Sequence, residues 1–218
     1  LVAVNVFCLS EFYKMIKHHK IKVAKYPSIL VSSLYLLFTY LYTFGSIRSS
    51  SLFFIFIPLT ISLFIIELYR KKSRPIHDIA YSIFSIMYIT VPLSLLLYLS
   101  SDNMGIYKPD FVLAFFILIW INDTFAYLTG MYIGKNKFFP RISPKKTWEG
   151  FVGGLVFSLG VAYLFYDTDF VTINHFTITD WLFLGAIVSI FGVFGDLIGS
   201  MFKRSLEVKD SGDMLPGH

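Results

Sequence analysis

The Lys and Arg residues of this chain are confined almost entirely to every second gap between long apolar stretches, and a bundle of membrane-crossing helices satisfies that pattern. Taking about 20 apolar residues per crossing, spans fall near 27–45, 52–69, 79–100, 111–133, 150–166 and 181–202. The run Leu1–Ser10 reads as the end of a preceding helix. Basic residues collect at Lys14–Lys25, Arg70–Arg74, Lys135–Lys146 and Lys203–Lys209; of the 19, only Arg48 and Lys108 fall on the alternate side. Cytoplasmic loops carry such an excess, so the basic loops are expected on the cytoplasmic face. With 56% hydrophobic and 15% charged residues, the chain lies far from a soluble domain, where roughly 25% are charged. The fold expected is therefore all-α and polytopic, with about six transmembrane helices plus the end of another. Pro58 and Pro92 fall within spans and predict kinks. The net charge of +5 follows the membrane and does not point to nucleic acid. A lone Cys8 excludes an internal disulfide framework.

Two regions differ in content. Residues 1–110 read as N-terminal transmembrane helices without catalytic candidates, their basic clusters serving as topology determinants, with Glu67 paired to the cations that follow it. Residues 111–218 carry the polar chemistry. The fourth span contains Trp120-Ile121-Asn122-Asp123-Thr124-Phe125-Ala126-Tyr127. Helical spacing places Asp123, Ala126, Tyr127 and Gly130 on one face, expected to line a polar cavity and to allow close approach of a neighbour. After it comes Pro140-Arg141-Ile142-Ser143-Pro144-Lys145-Lys146-Thr147-Trp148-Glu149-Gly150, whose two prolines restrict a loop of cations and hydroxyls just before a helix N-terminus. The Walker A order is absent.

The last span admits Asp196, followed at helical intervals by Ser200 and Lys203, with Arg204, Lys209, Asp210 and Asp213 beyond. A carboxylate inside an apolar span persists where it is used or paired. Its bland reading is a pair with Lys203 or Arg204 that closes the helix end. Oxygen ligands from Asp196 and Asp210 would suit a hard cation such as Mg2+. Gly195 and Gly199 have close-packing spacing. Carboxylates, cations and hydroxyls gathered at one membrane face fit phosphoryl or nucleotidyl transfer on a lipid, which needs charge stabilisation and positioning above all.

The run Ser200-Met201-Phe202-Lys203-Arg204, then Lys209-Asp210-Ser211-Gly212, then Leu215-Pro216-Gly217-His218 resembles the signature of phosphatidate cytidylyltransferases, also called CDP-diacylglycerol synthases. Trp120, Asp123-Thr124, Ala126-Tyr127 and Ser143–Gly150 are similar to that family's other recurrent segments. The resemblance covers roughly the second half of the chain. It implies transfer of CMP from CTP to phosphatidic acid, with pyrophosphate as the second product, Mg2+ as cofactor and K+ as a second candidate cation. On matching positions it implies Asp196 as a metal ligand and Asp210 as a second acid. Asp123, Lys203, Arg204, Lys209 and Asp210 become the catalytic candidates, and Ser143, Lys145, Lys146, Thr147, Ser200 and His218 the substrate-binding ones.

Met131 stands where the family usually carries Arg. The family signature also continues past the histidine with Gly-Gly and Asp-Arg-x-Asp, so residues 1–218 are expected to be a metal-poor, inactive fragment of an active enzyme. The implied partners are CTP, phosphatidic acid and the bilayer, with a homodimer left open, in a bacterial inner membrane with the site facing the cytoplasm. Two competing readings are a CTP-dependent polyprenol kinase and, in a different class, an ion-coupled transporter.

Overall fold

A computed structural model describes residues 1–17, 21–45, 54–101, 105–168 and 176–206. The chain divides into two compact units, one built from Leu1–Lys108 and the other from Pro109–Glu207.

The first unit contains α1 (Val2–Lys17), α2 (Lys25–Thr43), α3 (Phe56–Arg70), α4 (Pro75–Ser85) and α5 (Val91–Leu99). A π-helical turn, Ile86–Thr90, joins α4 to α5, so that Pro75–Leu99 runs as one 25-residue helix. The kink expected at Pro92 takes this form. Proline lacks an N–H and crowds the carbonyl four residues back, and the turn preceding it widens. Pro58 instead sits in the first turn of α3, where no intrahelical N–H is needed, and does not interrupt the helix.

Apolar side chains alone give transmembrane helices little reason to associate, and this unit is held by polar pairs in its interior. Asn5 is fully buried; its Nδ2 donates to Ser32 Oγ at 3.0 Å and its Oδ1 accepts from Thr90 Oγ1 at 2.9 Å. Tyr13 OH and Ser85 Oγ lie 2.7 Å apart. Asn5→Ala removes both partners of the first group and should cost about 1–2 kcal/mol, read as a lowered melting temperature in detergent.

At one end of the unit, Lys22 is gripped from both sides. Its N–H donates to buried Asp78 Oδ1 at 2.8 Å, and its carbonyl accepts from Arg70 at 2.6 Å. Arg70 also pairs with Glu67, as the sequence suggests, and Glu67 is buried within the unit. The first two basic loops therefore share one side.

The second unit contains α6 (Asp110–Tyr132), a two-stranded antiparallel hairpin of β1 (Lys137–Phe139) and β2 (Ser143–Thr147), α7 (Trp148–Asp167) and α8 (Ile178–Ser205). Far from the hairpin, Ala114 and Leu118 of α6 pack with Ala162 and Phe165 of α7 and with Trp181 and Val188 of α8. Thr177 opens α8 with a capping box, its hydroxyl and N–H exchanged with Asp180. Close packing falls where α8 meets α7: a Cβ at Gly185 would lie 3.1 Å from the Ala162 methyl. Gly192 and Gly195 face open space, so the close-packing role read for Gly195 is not what the fold uses.

Helices occupy all six stretches read as crossings. Among the described residues four of them, Pro75–Leu99, α6, α7 and α8, are long and apolar enough to span a bilayer. The chain is an all-α polytopic membrane protein, with one small hairpin where a proline-restricted loop was expected.

Candidate active site

The site begins with small residues on α6. A Cβ added at Gly150 would lie 2.6 Å from the Ala126 carbonyl oxygen and 3.2 Å from the Gly130 Cα, so the start of α7 presses backbone to backbone on the second half of α6. Thr147, extended and buried, caps α7 by accepting from Gly150 N at 3.1 Å. Whatever immediately precedes α7 is thus delivered to the side of α6 that carries Asp123.

That segment is β2, and the hairpin holds it firmly. Trp148 N donates to Asn136 O at 2.9 Å, while the Glu149 carboxylate accepts from Asn136 N at 3.1 Å and from Asn136 Nδ2 at 2.7 Å. Strand alternation turns Phe138 inward between exposed neighbours, where it packs with Val193 and Leu197 of α8. Pro144 is tolerated because a two-stranded ribbon consists only of edges. One lysine of β2 then reaches α8: Lys146 Nζ lies 2.7 Å from Asp196 Oδ2 and 3.4 Å from the Val193 carbonyl. Asp196 pairs with this distant lysine; the bland reading, a pair with Lys203 or Arg204, does not describe it.

Between these elements lies a cavity of about 560 Å³. Asp123, Ala126, Tyr127 and Gly130 all line it, as their helical spacing predicts, together with Lys145, Lys146, Thr147 and Asp196. Asp123 feels the charges of both Lys146 and Asp196. Three lysines, Lys137, Lys145 and Lys146, face two aspartates across the lining, an excess of cation that favours an anionic ligand.

Of the other residues singled out in the sequence, Ser143 starts β2 opposite Phe139 and is not part of the lining. Ser200 and Lys203 are half-buried and Arg204 exposed on the last turns of α8, also outside the lining. Lys209, Asp210, Asp213 and His218 lie outside the described residues. Two contributors were not assigned from sequence. Lys137 counted only as a topology charge, and Asn122 was noticed as a polar neighbour of Asp123 without a partner.

The cytidylyltransferase family matches this chain over residues 1–218. The chain belongs to that family. Among its curated relatives, the phosphatidate cytidylyltransferase of Staphylococcus aureus (strain COL) is 39% identical over 151 residues, which cover 68% of this chain and 54% of that protein. The same-named protein of Staphylococcus saprophyticus is 40% identical over 150 residues, again 68% and 54% of the two chains. That of Staphylococcus haemolyticus is 39% identical over 152 residues, with the same coverage. The chain spans about half the length of the curated relatives it matches.

The donor set of this cytidylyltransferase-family cavity fits a magnesium ion in kind. Carboxylate oxygens of Asp123 and Asp196 line one space, and Mg2+ is commonly bound through one or two carboxylates plus substrate phosphates. Among the described residues no cluster of three or more acidic, His or Cys ligands forms, so two aspartates are what they offer.

Proposed function

We propose that this chain is the membrane core of an enzyme that transfers CMP from CTP to phosphatidic acid, giving CDP-diacylglycerol and pyrophosphate for phospholipid synthesis. The observation that carries this reading is the single cavity in which α6, β2 and α8 juxtapose Asp123, Lys145, Lys146 and Asp196. The names of the relatives point the same way.

In this reading a phosphate oxygen of phosphatidic acid attacks the α-phosphorus of CTP, a new P–O bond forms, and the bond to the β-phosphate breaks to release pyrophosphate. Lys145 and Lys146 would neutralise the polyphosphate, and Lys137 would add charge from the far side of the hairpin. Asp196, with Asp123 nearby, would hold Mg2+, which when bound supplies charge neutralisation to the phosphate oxygens. A K+ ion beside it remains part of the proposal through the family resemblance alone. Lys146 moves its ammonium between Asp196 and phosphate, so the same side chain keeps the empty and loaded sites near electrical balance. Lys203 and Arg204 would act from the last turn of α8, outside the lining itself.

We place the site on the cytoplasmic side of a bacterial inner membrane, because the lysines of the hairpin and the Lys203-Arg204 pair share one end of their unit. Incubating the purified full-length protein with CTP, Mg2+ and phosphatidic acid in mixed micelles, then identifying products by mass spectrometry, tests the reaction. CDP-diacylglycerol with pyrophosphate is the expected result. Formation of CDP would indicate a kinase, and ion flux in proteoliposomes without CTP a transporter; either would overturn the proposal.

A further inference from the structure

Asn122 lies beneath the cavity, 1% exposed and absent from its lining. Its Oδ1 accepts from Ser189 Oγ of α8 at 2.6 Å, and its Nδ2 donates to Asp123 Oδ1 at 3.3 Å. Ser189 is itself fully buried. The amide has one sensible orientation, since turning it over would set its oxygen against the carboxylate of Asp123. α7 leaves it no room to move: a Cβ at Gly154 would meet Asn122 Oδ1 at 2.7 Å and the Asn122 carbonyl at 2.9 Å. One side chain therefore touches all three helices of the unit and presents a fixed N–H to a carboxylate of the site.

An apolar residue would serve the packing equally well, and a polar one is expensive to bury unless its hydrogen bonds are made. Ser189 sits two turns before Asp196 on the same helix, so the Asn122–Ser189 bond also sets the rotation of α6 relative to the helix that carries the second carboxylate. We infer that Asn122 is a positioning residue. Through Ser189 it registers α6 on α8, and through its amide it aims the Asp123 carboxylate into the cavity for the nucleotidyl transfer proposed above, on which this inference rests.

The test compares three variants of the purified full-length protein with the parent, measuring kcat, KM for CTP and thermal melting in detergent. Asn122→Asp keeps the size and the acceptor for Ser189 but loses the donor. Asn122→Leu keeps the forked outline, removes donor and acceptor together, and adds bulk whose cost the melting temperature reports. Ser189→Ala cuts the tie to α8 and leaves the donor in place. Loss of aim without loss of fold should lower kcat about 100-fold in both Asn122 variants, with KM for CTP within about threefold. Ser189→Ala should lose about tenfold or less. Turnover of either Asn122 variant within about threefold of the parent overturns the inference. So does a loss of turnover that tracks loss of folded protein equally in all three. A parent protein that forms no CDP-diacylglycerol overturns the functional reading, and the inference falls with it.

Discussion

Asp196→Asn should reduce CDP-diacylglycerol formation about 1,000-fold while leaving the melting temperature of the protein close to that of the parent. The separation of the two effects follows from the surroundings of the side chain. Asp196 is 62% exposed and Lys146 26% exposed, so their ion pair is worth only about 0.2–1 kcal/mol to folding. Among the described residues Lys146 is the partner of this carboxylate, and asparagine keeps its shape. What the substitution removes is charge facing the space where polyphosphate and a divalent cation would meet, and preorganised charge at such a point acts on the transition state more than on the fold. Steady-state assay beside thermal melting checks the prediction. Parallel loss of both would mean that Asp196 is a structural residue, and retention of turnover would remove it from the reaction.

A second large effect is expected at a position that carries no functional group. Gly150→Val places a branched side chain where a single Cβ already comes 2.6 Å from the Ala126 carbonyl oxygen and 3.2 Å from the Gly130 Cα. Both obstacles are main chain and cannot rotate away. The helices would have to separate, at a cost of about 3 kcal/mol or more. The start of α7 would move with them, carrying Lys145 and Lys146 away from Asp196. The expected result is a lowered melting temperature together with loss of turnover that added CTP does not restore. Full activity in this variant would show that the helices can part there without consequence.

Much of the architecture can be read without coordinates because membrane burial writes in a coarse alphabet. Apolar length and the placement of Lys and Arg locate the helical stretches, and the Arg70 grip on Lys22 confirms within the first unit that two basic loops share a side. In the second unit, the 3.6-residue repeat correctly groups Asp123, Ala126, Tyr127 and Gly130 as one cavity-facing set.

Three features escaped for identifiable reasons. The hairpin rests on strands of three and five residues containing Pro144, too short for alternation to register, and its closure depends on Glu149 reaching back to Asn136. Asn122 has a polar neighbour in sequence, yet its meaning lies in Ser189, 67 residues further on. Gly195 matched a packing pattern that is equally satisfied by a glycine facing open space, and only the third dimension distinguishes them.

The grip on Lys22 also bears on how the first unit comes into being. Its two clasping side chains stand 48 and 56 residues later in the chain. α1 and α2 are therefore synthesised before either clasping residue, and Lys22 gains these partners only once the third and fourth helices have followed it out. The N-terminal pair is consequently fastened from behind, by elements synthesised after it, and its final seating is a late event in biogenesis.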